Sequence, residues 1–326
     1  MTYRNPPDQP SDRLKTSGED SPPAWWRIDP CQPLQLGPRE IPGRIWTASG
    51  CFGYGLTGHE ISSEDHSSPY DNLGAVVTKT LTPHPRLGNP MPRLVELPAG
   101  ALNSIGLENL GFEHFLHETL PDLAERGVPV IVSMAATRPE QFGVMAAQLQ
   151  HAAADVACWH GIELNLSCPN IAEGGHDFGS DPAIVMACVA AARPHLTDRA
   201  LLAKLTPNVT KIAPLAEAAR AGGADAVSAI NTVVGLEVDL ATGRPLLPLR
   251  TGGYSGQAIL PIGLAMVDAI IQAVDIPVVG VGGIVAPADA LKYFALGAVA
   301  VQVGTAQMRD PFAASHIAQA LRPVTG

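Results

Sequence analysis

Cys168 is the side chain in this sequence that is best suited to moving a proton. It lies in the run Asn165-Leu-Ser-Cys-Pro-Asn170, at the end of an apolar segment typical of a buried strand. A thiolate can remove a carbon-bound proton when its pKa lies near the working pH. A buried structural thiol is the commoner role of an unpaired cysteine, so the residue type alone leaves both roles open.

The other thiols and the histidines indicate no metal site. The chain has five cysteines, an odd number, and no CxxC pair, which argues against a disulfide framework or a zinc site. His114 and His117 have helical spacing, but no third ligand is evident, and a solvated helix face explains them. We therefore expect reduced cysteines and no bound metal.

Two of the five lysines, Lys79 and Lys204, come at the ends of predicted strands. A surface lysine that extends its ammonium into water is the commoner reading of either residue. Two lysines at equivalent strand ends favour another role, because together they would suit an electron-rich ring or a phosphate.

Four asparagines also lie near predicted strand ends: Asn103, Asn165, Asn170 and Asn231. A single asparagine is usually a turn or cap residue. Several that converge on one opening would offer uncharged donors and acceptors, which suits a flat ring with alternating N–H and C=O groups.

Glycines after the last two predicted strands indicate a phosphate site. Gly282 and Gly283 follow one strand, and Gly304 and Thr305 follow the next. In barrel enzymes the loops after strands seven and eight commonly bind phosphate through backbone N–H groups. Tight turns that simply need glycine are the alternative.

Apolar segments of strand character alternate with Ala- and Leu-rich segments of helical character from about residue 41. Such repeats predict a parallel sheet buried on both faces, and eight of them fit a closed (β/α)8 TIM barrel better than an open doubly wound sheet. The predicted strands are Arg44–Ala48, Gly74–Lys79, Pro129–Met134, Gly161–Leu166, Ala200–Leu205, Ala224–Ile230, Ile276–Val281 and Val299–Val303. The clearest helices are Gln141–Ala154, Pro182–Ala192, Ile212–Ala221, Gly263–Ala273 and Pro287–Leu296.

A flexible arm and one catalytic domain are expected. Residues 1–40 are rich in proline and polar residues, which predicts a flexible arm, and residues 41–326 form the barrel domain. The connections 80–128 and 231–262 are long and rich in Gly and Pro, so we expect them to cover the C-terminal mouth of the barrel.

Composition and charge exclude several functions. A net charge of −10 argues against nucleic-acid binding, which needs a basic face. No apolar run is long enough for a membrane span, and the N-terminus has no signal-peptide core, so we expect a cytoplasmic protein.

A series of motifs lies in order along the chain: TASGCFGYG (47–55), VVTKT (76–80), PRLGNPMPRLVE (85–96), LNSIGLEN (102–109), ELNLSCPN (163–170), AKLTPN (203–208), INTVVGL (230–236), GGYSG (252–256), GVGGI (280–284) and VGTA (303–306). In this order they resemble the motifs of class 1 dihydroorotate dehydrogenases, and the resemblance runs from about residue 43 to residue 311. Class 2 enzymes are less similar, because they carry serine as base and an apolar N-terminal helical extension.

The resemblance implies FMN across the barrel mouth and oxidation of dihydroorotate to orotate in de novo pyrimidine (UMP) biosynthesis. Cys168 matches the family's base, which takes a proton from ring carbon five while ring carbon six passes hydride to FMN. The residues placed around FMN are Ser49, Gly50, Lys79, Thr80, Asn165, Lys204, Ile230, Gly256, Gly282, Gly283, Gly304 and Thr305. Those placed around the pyrimidine are Lys79, Asn103, Asn165, Asn170, Asn231 and Thr232.

The subtype rests on fewer positions. TASGCFGYG, GGHDFG (174–179) and INTVVGLEVDLATGRP (230–245) resemble the B type, which works with an iron–sulfur, FAD-containing subunit and passes electrons to NAD. LNSIGLENLGFEHFL (102–116) is closer to the A type, a homodimer that uses fumarate, and Tyr254 and Leu260 depart from the usual B-type run. We favour the B type with a homodimeric core and leave the electron acceptor open.

Two other functions are compatible with parts of the sequence. AKLTPNVT (203–210) is also similar to the dihydropyrimidine dehydrogenase barrel, which acts on uracil or thymine, although Asn170 and PRLGNPMPR fit the orotate enzymes better. A non-catalytic flavin-binding barrel is the second alternative, and the intact set of lysines, asparagines and Cys168 argues against it.

Overall fold

Eight parallel strands close into one barrel. The computed structural model describes residues 28–55, 68–167 and 178–322. The strands are β1 (Ile45–Thr47), β2 (Ala75–Val77), β3 (Val130–Met134), β4 (Trp159–Asn165), β5 (Ala200–Leu205), β6 (Ala226–Ala229), β7 (Val278–Val281) and β8 (Ala300–Val303). Each pairs with its neighbour in the chain, and β8 pairs with β1 to close the ring. The predicted (β/α)8 TIM barrel is confirmed, and each predicted strand overlaps one observed strand.

Helices connect these strands. The first, α1, consists of Phe112–His114, a π-helical turn at Phe115–Thr119, and Leu120–Arg126. The others are α2 (Pro139–Ala153), α3 (Pro182–Ala192), α4 (Ala213–Ala221), α5 (Leu260–Ala273), α6 (Pro287–Leu296), α7 (Thr305–Arg309) and α8 (Ala313–Ala320). Short 3₁₀ turns lie at Phe178–Ser180, Arg193–His195 and Gln257–Ile259.

Local signals explain why some of these helices begin where the sequence predicts. At α3, the Asp181 side chain accepts a hydrogen bond from the Ala183 N–H, and Pro182 occupies the first helical position. Proline is favoured there because its N–H would have no partner and its φ already suits a helix. The same proline signal begins α6 at Pro287.

A hairpin closes the N-terminal end of the barrel. Its strands, Leu34–Leu36 and Arg39–Ile41, pair antiparallel. Leu34, Leu36 and Ile41 are buried together with inward-facing barrel residues such as Trp46 and Leu202. The hairpin therefore belongs to the packed core although it falls within the segment predicted to be a flexible arm. Residues 1–27 lie outside the described residues, so for them the predicted arm stays a prediction.

The two long connections form one small sheet over the other end of the barrel. After β2 come strands Leu94–Leu97 and Gly100–Asn103, and after β6 come Val233–Gly235 and Gly252–Ser255. They pair antiparallel in one four-stranded sheet, which we call the mouth sheet. A second pair, Val238–Asp239 with Arg244–Pro245, extends from the later connection.

Within the part of the chain that the structure describes, no helix has both the length and the apolar character that a membrane crossing requires.

His160, at the start of β4, is nearly enclosed beside the N-terminal hairpin. The residue is 8% exposed. Arg39 Nε lies 3.3 Å from His160 Nδ1, and the Glu40 carbonyl oxygen lies 3.1 Å from the same nitrogen. Nδ1 accepts from Arg39 when it carries no proton, and it donates to Glu40 when it carries one. Burial, and then the Arg39 charge, lower the pKa of His160 to about 4.

We predict that His160 makes the barrel acid-sensitive. The unfolded chain takes up a proton at this side chain near pH 6.5, whereas the folded chain does so only near pH 4. The contribution of neutral His160 to the free energy of unfolding is therefore fully present above pH 6.5. It is lost as pH falls from 6.5 to about 4, and the loss is at most about 3 kcal/mol. Urea unfolding between neutral pH and pH 5 should show a smaller loss in His160→Gln than in the wild type. The exposed His151 on α2 provides the control, and a His160→Gln slope equal to that of His151→Gln would contradict the assignment.

Candidate active site

One cavity of about 750 Å³ lies between the C-terminal ends of the barrel strands and the mouth sheet. Its size is typical of a ligand pocket. Every predicted site residue within the described residues lines it: Ser49, Gly50, Lys79, Thr80, Asn103, Asn165, Lys204, Ile230, Asn231, Thr232, Gly256, Gly282, Gly283, Gly304 and Thr305. Cys168 and Asn170 lie outside the described residues.

A chain of hydroxyl and amide groups runs across the base of the cavity. Ser49 Oγ lies 3.0 Å from Thr80 Oγ1, and Asn165 Nδ2 donates to the same Thr80 oxygen at 3.1 Å. Asn231 Nδ2 continues the chain by donating to Asn165 Oδ1 at 3.3 Å and to Ser167 Oγ at 2.6 Å. These side chains come from the ends of different strands, and their mutual bonds fix which polar atoms face a ligand.

Lys204 brings a buried positive charge to the cavity. The residue is 4% exposed, on β5. Its Nζ lies 3.7 Å from Glu163 Oε1, which is its only ion pair among the described residues. This separation is too long for a hydrogen bond, and no described group accepts one from the ammonium, so its donors are available to a ligand in the cavity.

Lys79 brings a second positive charge, nearer to solvent. Its Nζ lies 3.8 Å from Glu108 Oε2. The same Glu108 oxygen accepts a hydrogen bond from Arg93, which holds the carboxylate in the loop between the mouth sheet and α1. Lys79 and Glu108 both line the cavity, so this side of it carries a loosely paired cation.

The loops after β7 and β8 reach the cavity partly through glycines, Gly282, Gly283 and Gly304. Gly282 and Gly283 have φ of +119° and +75°, values that favour glycine. A Cβ on Gly283 would lie 2.5 Å from the Leu260 backbone, so this loop packs directly against the start of α5. The N–H groups of Gly283, Ile284 and Thr305 donate no hydrogen bond to another described residue. An anion at this end could therefore accept hydrogen bonds from the backbone.

The sequence reasoning missed a second run of free backbone donors. Residues 105–108 line the cavity, and their N–H groups have no acceptor among the described residues. Gly106 and Leu107 both have positive φ, +76° and +54°. Consecutive residues of this kind can point successive N–H groups at one anion. The sequence gives no signal for this conformation at Leu107, because a positive φ is rare for leucine.

Cys51 is a cavity thiol that the sequence reasoning also missed. It lines the cavity close to Gly304, because a Cβ added to Gly304 would lie 3.5 Å from Cys51 Sγ. Burial raises the pKa of Cys51, and the nearby Lys204 charge opposes this only in part. Cys51 therefore stays protonated near neutral pH, which suits it poorly to the role of a base.

Comparison with known proteins decides the family. The model for the family "Dihydroorotate dehydrogenase" matches residues 37–324. The chain belongs to the dihydroorotate dehydrogenase family. The match covers the barrel, the mouth sheet and the second strand of the N-terminal hairpin.

Relatives within this family have the subtype favoured from the sequence. A protein of Trichlorobacter lovleyi is 42% identical over 296 residues, which are 90% of this chain and 93% of the relative. One of Geotalea uraniireducens is 44% identical, over 85% of this chain and 87% of the relative. One of a Geobacillus strain is 41% identical over the same shares, 85% and 87%. All three bear the name dihydroorotate dehydrogenase B (NAD(+)), catalytic subunit.

We predict that Gly283→Ala destabilises the fold through a clash as well as through its φ. The added methyl meets the Leu260 backbone, so the loop or the start of α5 must move, at a cost of about 2 kcal/mol or more. Gly127→Ala is the matched control, because Gly127 also has positive φ but a Cβ there meets nothing within 4 Å. Urea unfolding that gives equal losses for the two variants would contradict the close packing inferred at Gly283.

Proposed function

We propose that this chain is the catalytic subunit of a B-type dihydroorotate dehydrogenase, which oxidises dihydroorotate to orotate for pyrimidine synthesis with bound FMN. The observation that carries this proposal is one cavity in which Lys79 and Lys204, five asparagines and the glycines after β7 and β8 meet. Family membership supports the same reaction.

The cavity fits FMN on three counts. The free N–H groups of Gly283, Ile284 and Thr305 suit its phosphate. The cavity volume of about 750 Å³ leaves room for the whole cofactor. The buried Lys204 ammonium, with no hydrogen-bond acceptor among the described residues, suits the electron-rich end of the flavin ring. FMN, when bound, supplies the acceptor for the hydride that leaves ring carbon six of dihydroorotate.

The remaining polar groups suit the substrate. Asn103, Asn165 and Asn231 offer amides to the N–H and C=O groups of the pyrimidine ring, and Asn170 follows in the same motif. Lys79 and the free N–H groups of residues 105–108 offer positive charge and donors to its carboxylate. Dihydroorotate carries both features, whereas uracil and thymine lack the carboxylate, so these groups favour the orotate reaction over the dihydropyrimidine one.

Cys168 is proposed as the base that takes the proton from ring carbon five. It follows Ser167, whose hydroxyl lies within the polar chain at the base of the cavity. Cys51, a thiol that lines the cavity, is held protonated by burial. When the proton goes to Cys168 and the hydride leaves from the adjacent carbon, the ring gains its double bond and the charges balance.

The electrons then leave the chain through a partner. The sequence contains no dinucleotide-binding fingerprint and no cysteine cluster for an iron–sulfur centre. We therefore propose an iron–sulfur, FAD-containing subunit that passes electrons to NAD, on a homodimeric catalytic core. Copurification with a red-brown partner tests this, and fumarate reduction by the isolated chain would favour the A type instead.

Cys168→Ser should retain FMN but lose most of its flavin reduction. A serine hydroxyl is a much weaker acid than a thiol, so reduction of bound flavin by dihydroorotate should fall about 100-fold or more near neutral pH. Part of the rate should return at high pH. Stopped-flow bleaching of the flavin measures this, with Cys31→Ser, far from the cavity, as control. Unchanged kinetics would remove Cys168 from the mechanism, and a flavin bleached by dihydrouracil but not by dihydroorotate would refute the proposed substrate.

Glu108→Gln and Lys79→Ala should shift substrate affinity in opposite directions. Removing Glu108's charge leaves Lys79 free for the substrate carboxylate, so the orotate Kd, from flavin absorbance changes, should fall about 3- to 10-fold. Lys79→Ala should raise it, or weaken FMN retention. Glu96→Gln removes an equal charge from the mouth sheet, where Glu96 pairs with Arg309, and should leave the Kd unchanged. Equal Kd values for Glu108→Gln and Glu96→Gln would show that Glu108 does not compete.

A further inference from the structure

A carboxylate lies inside the barrel beneath the cavity. Glu163 on β4 is fully buried and does not line the cavity. Its Oε2 accepts hydrogen bonds from Ser228 Oγ at 2.8 Å and from Gln302 Nε2 at 2.6 Å. These three residues come from β4, β6 and β8, the alternate strands that share one layer of side chains in such barrels.

This polar layer is unusual for a barrel interior. The inward-facing residues nearer the N-terminal end are apolar, for example Leu202, Val279 and Ala300. Apolar side chains at Glu163, Ser228 and Gln302 would pack without the cost of burying a charge. Packing therefore does not explain the layer, and its purpose must lie in what Glu163 contacts.

The second carboxylate oxygen of Glu163 points to Lys204. Oε1 has no hydrogen-bond partner among the described residues, and it lies 3.7 Å from Lys204 Nζ. The two side chains are 0% and 5% exposed. With Oε2 fixed by Ser228 and Gln302, the position of Oε1 is set, and it attracts the ammonium from below while the cavity lies above.

We propose that Glu163 is a positioning residue that holds the Lys204 ammonium at the base of the cavity, against the flavin. This rests on the proposed function, because it takes FMN as the ligand of Lys204. Glu163 touches neither flavin nor substrate, so its effect on either must pass through Lys204. Ser228 and Gln302 orient the carboxylate in turn.

FMN release from the holoenzyme tests this proposal. Glu163→Gln keeps the shape but removes the charge, and the FMN Kd, from fluorescence of released flavin on dilution, should rise about tenfold or more. Ser228→Ala is the matched control, since it removes one hydrogen bond from the layer but leaves both charges. Its Kd should rise by about threefold or less. A Glu163→Gln value no higher than that of Ser228→Ala would overturn the proposal.

A double-mutant cycle separates positioning from a general structural role. If Glu163 acts through Lys204, then Glu163→Gln combined with Lys204→Met should release FMN no faster than Lys204→Met alone. The flavin midpoint potential should follow the same pattern, shifting in Glu163→Gln but not when the substitution is added to Lys204→Met. Effects that multiply in Kd and add in potential would show that Glu163 acts independently of Lys204, against the proposal.

A second variant covers the case in which Glu163→Gln does not fold. Glu163→Asp keeps the charge but moves it away from Lys204 by the length of one methylene, so the FMN Kd should rise about threefold or more. Wild-type release would overturn the positioning role. Failure of the proposed function gives a different result, because a wild-type protein that binds no FMN refutes that function. If the wild-type protein binds FMN and Glu163→Asp binds it with the same Kd, only the positioning role of Glu163 is refuted.

Discussion

The closure of the barrel by the pairing of β8 with β1 is the constraint on which the site depends. Because all eight strands are parallel, closure brings their carboxyl ends to a single rim. Residues far apart in sequence, such as Ser49, Asn165 and Thr305, thereby line one cavity. The same closure buries strand interiors on both sides, and it is why a single charged layer at Glu163 stands out against apolar neighbours.

The barrel could be predicted because its signals are local. Each strand is a short, mostly apolar run that is buried along its whole length. Asp181 and Pro182 mark the beginning of α3 without help from the rest of the fold. The hairpin at residues 34–41 could not be predicted in this way. Its proline-rich surroundings suggest an unstructured arm, and only the barrel opening beneath it gives Leu36 and Ile41 a place to be buried.

Some residues of the site could likewise be predicted from the sequence, and others could not. Lys79, Lys204 and the asparagines could be found because polar residues at strand ends are visible in the sequence. The donors of residues 105–108 could not, since they depend on backbone angles that no side chain reveals. The pairing of Glu163 with Lys204, Ser228 and Gln302 also escapes sequence reasoning, because it requires knowing which strands share a layer and how they are registered.

The mouth sheet affects the order in which the parts of this protein fold. Its strands pair Asn103 with Gly253, 150 positions further along the chain. Such a pairing carries a high entropic cost of loop closure until the intervening strands β3 to β6 have assembled. A nascent chain that ends before residue 252 therefore has six of the eight barrel strands but lacks Gly252–Ser255, the strand that joins the two connections in the mouth sheet. The ligand cavity is among the last parts of the molecule to exist.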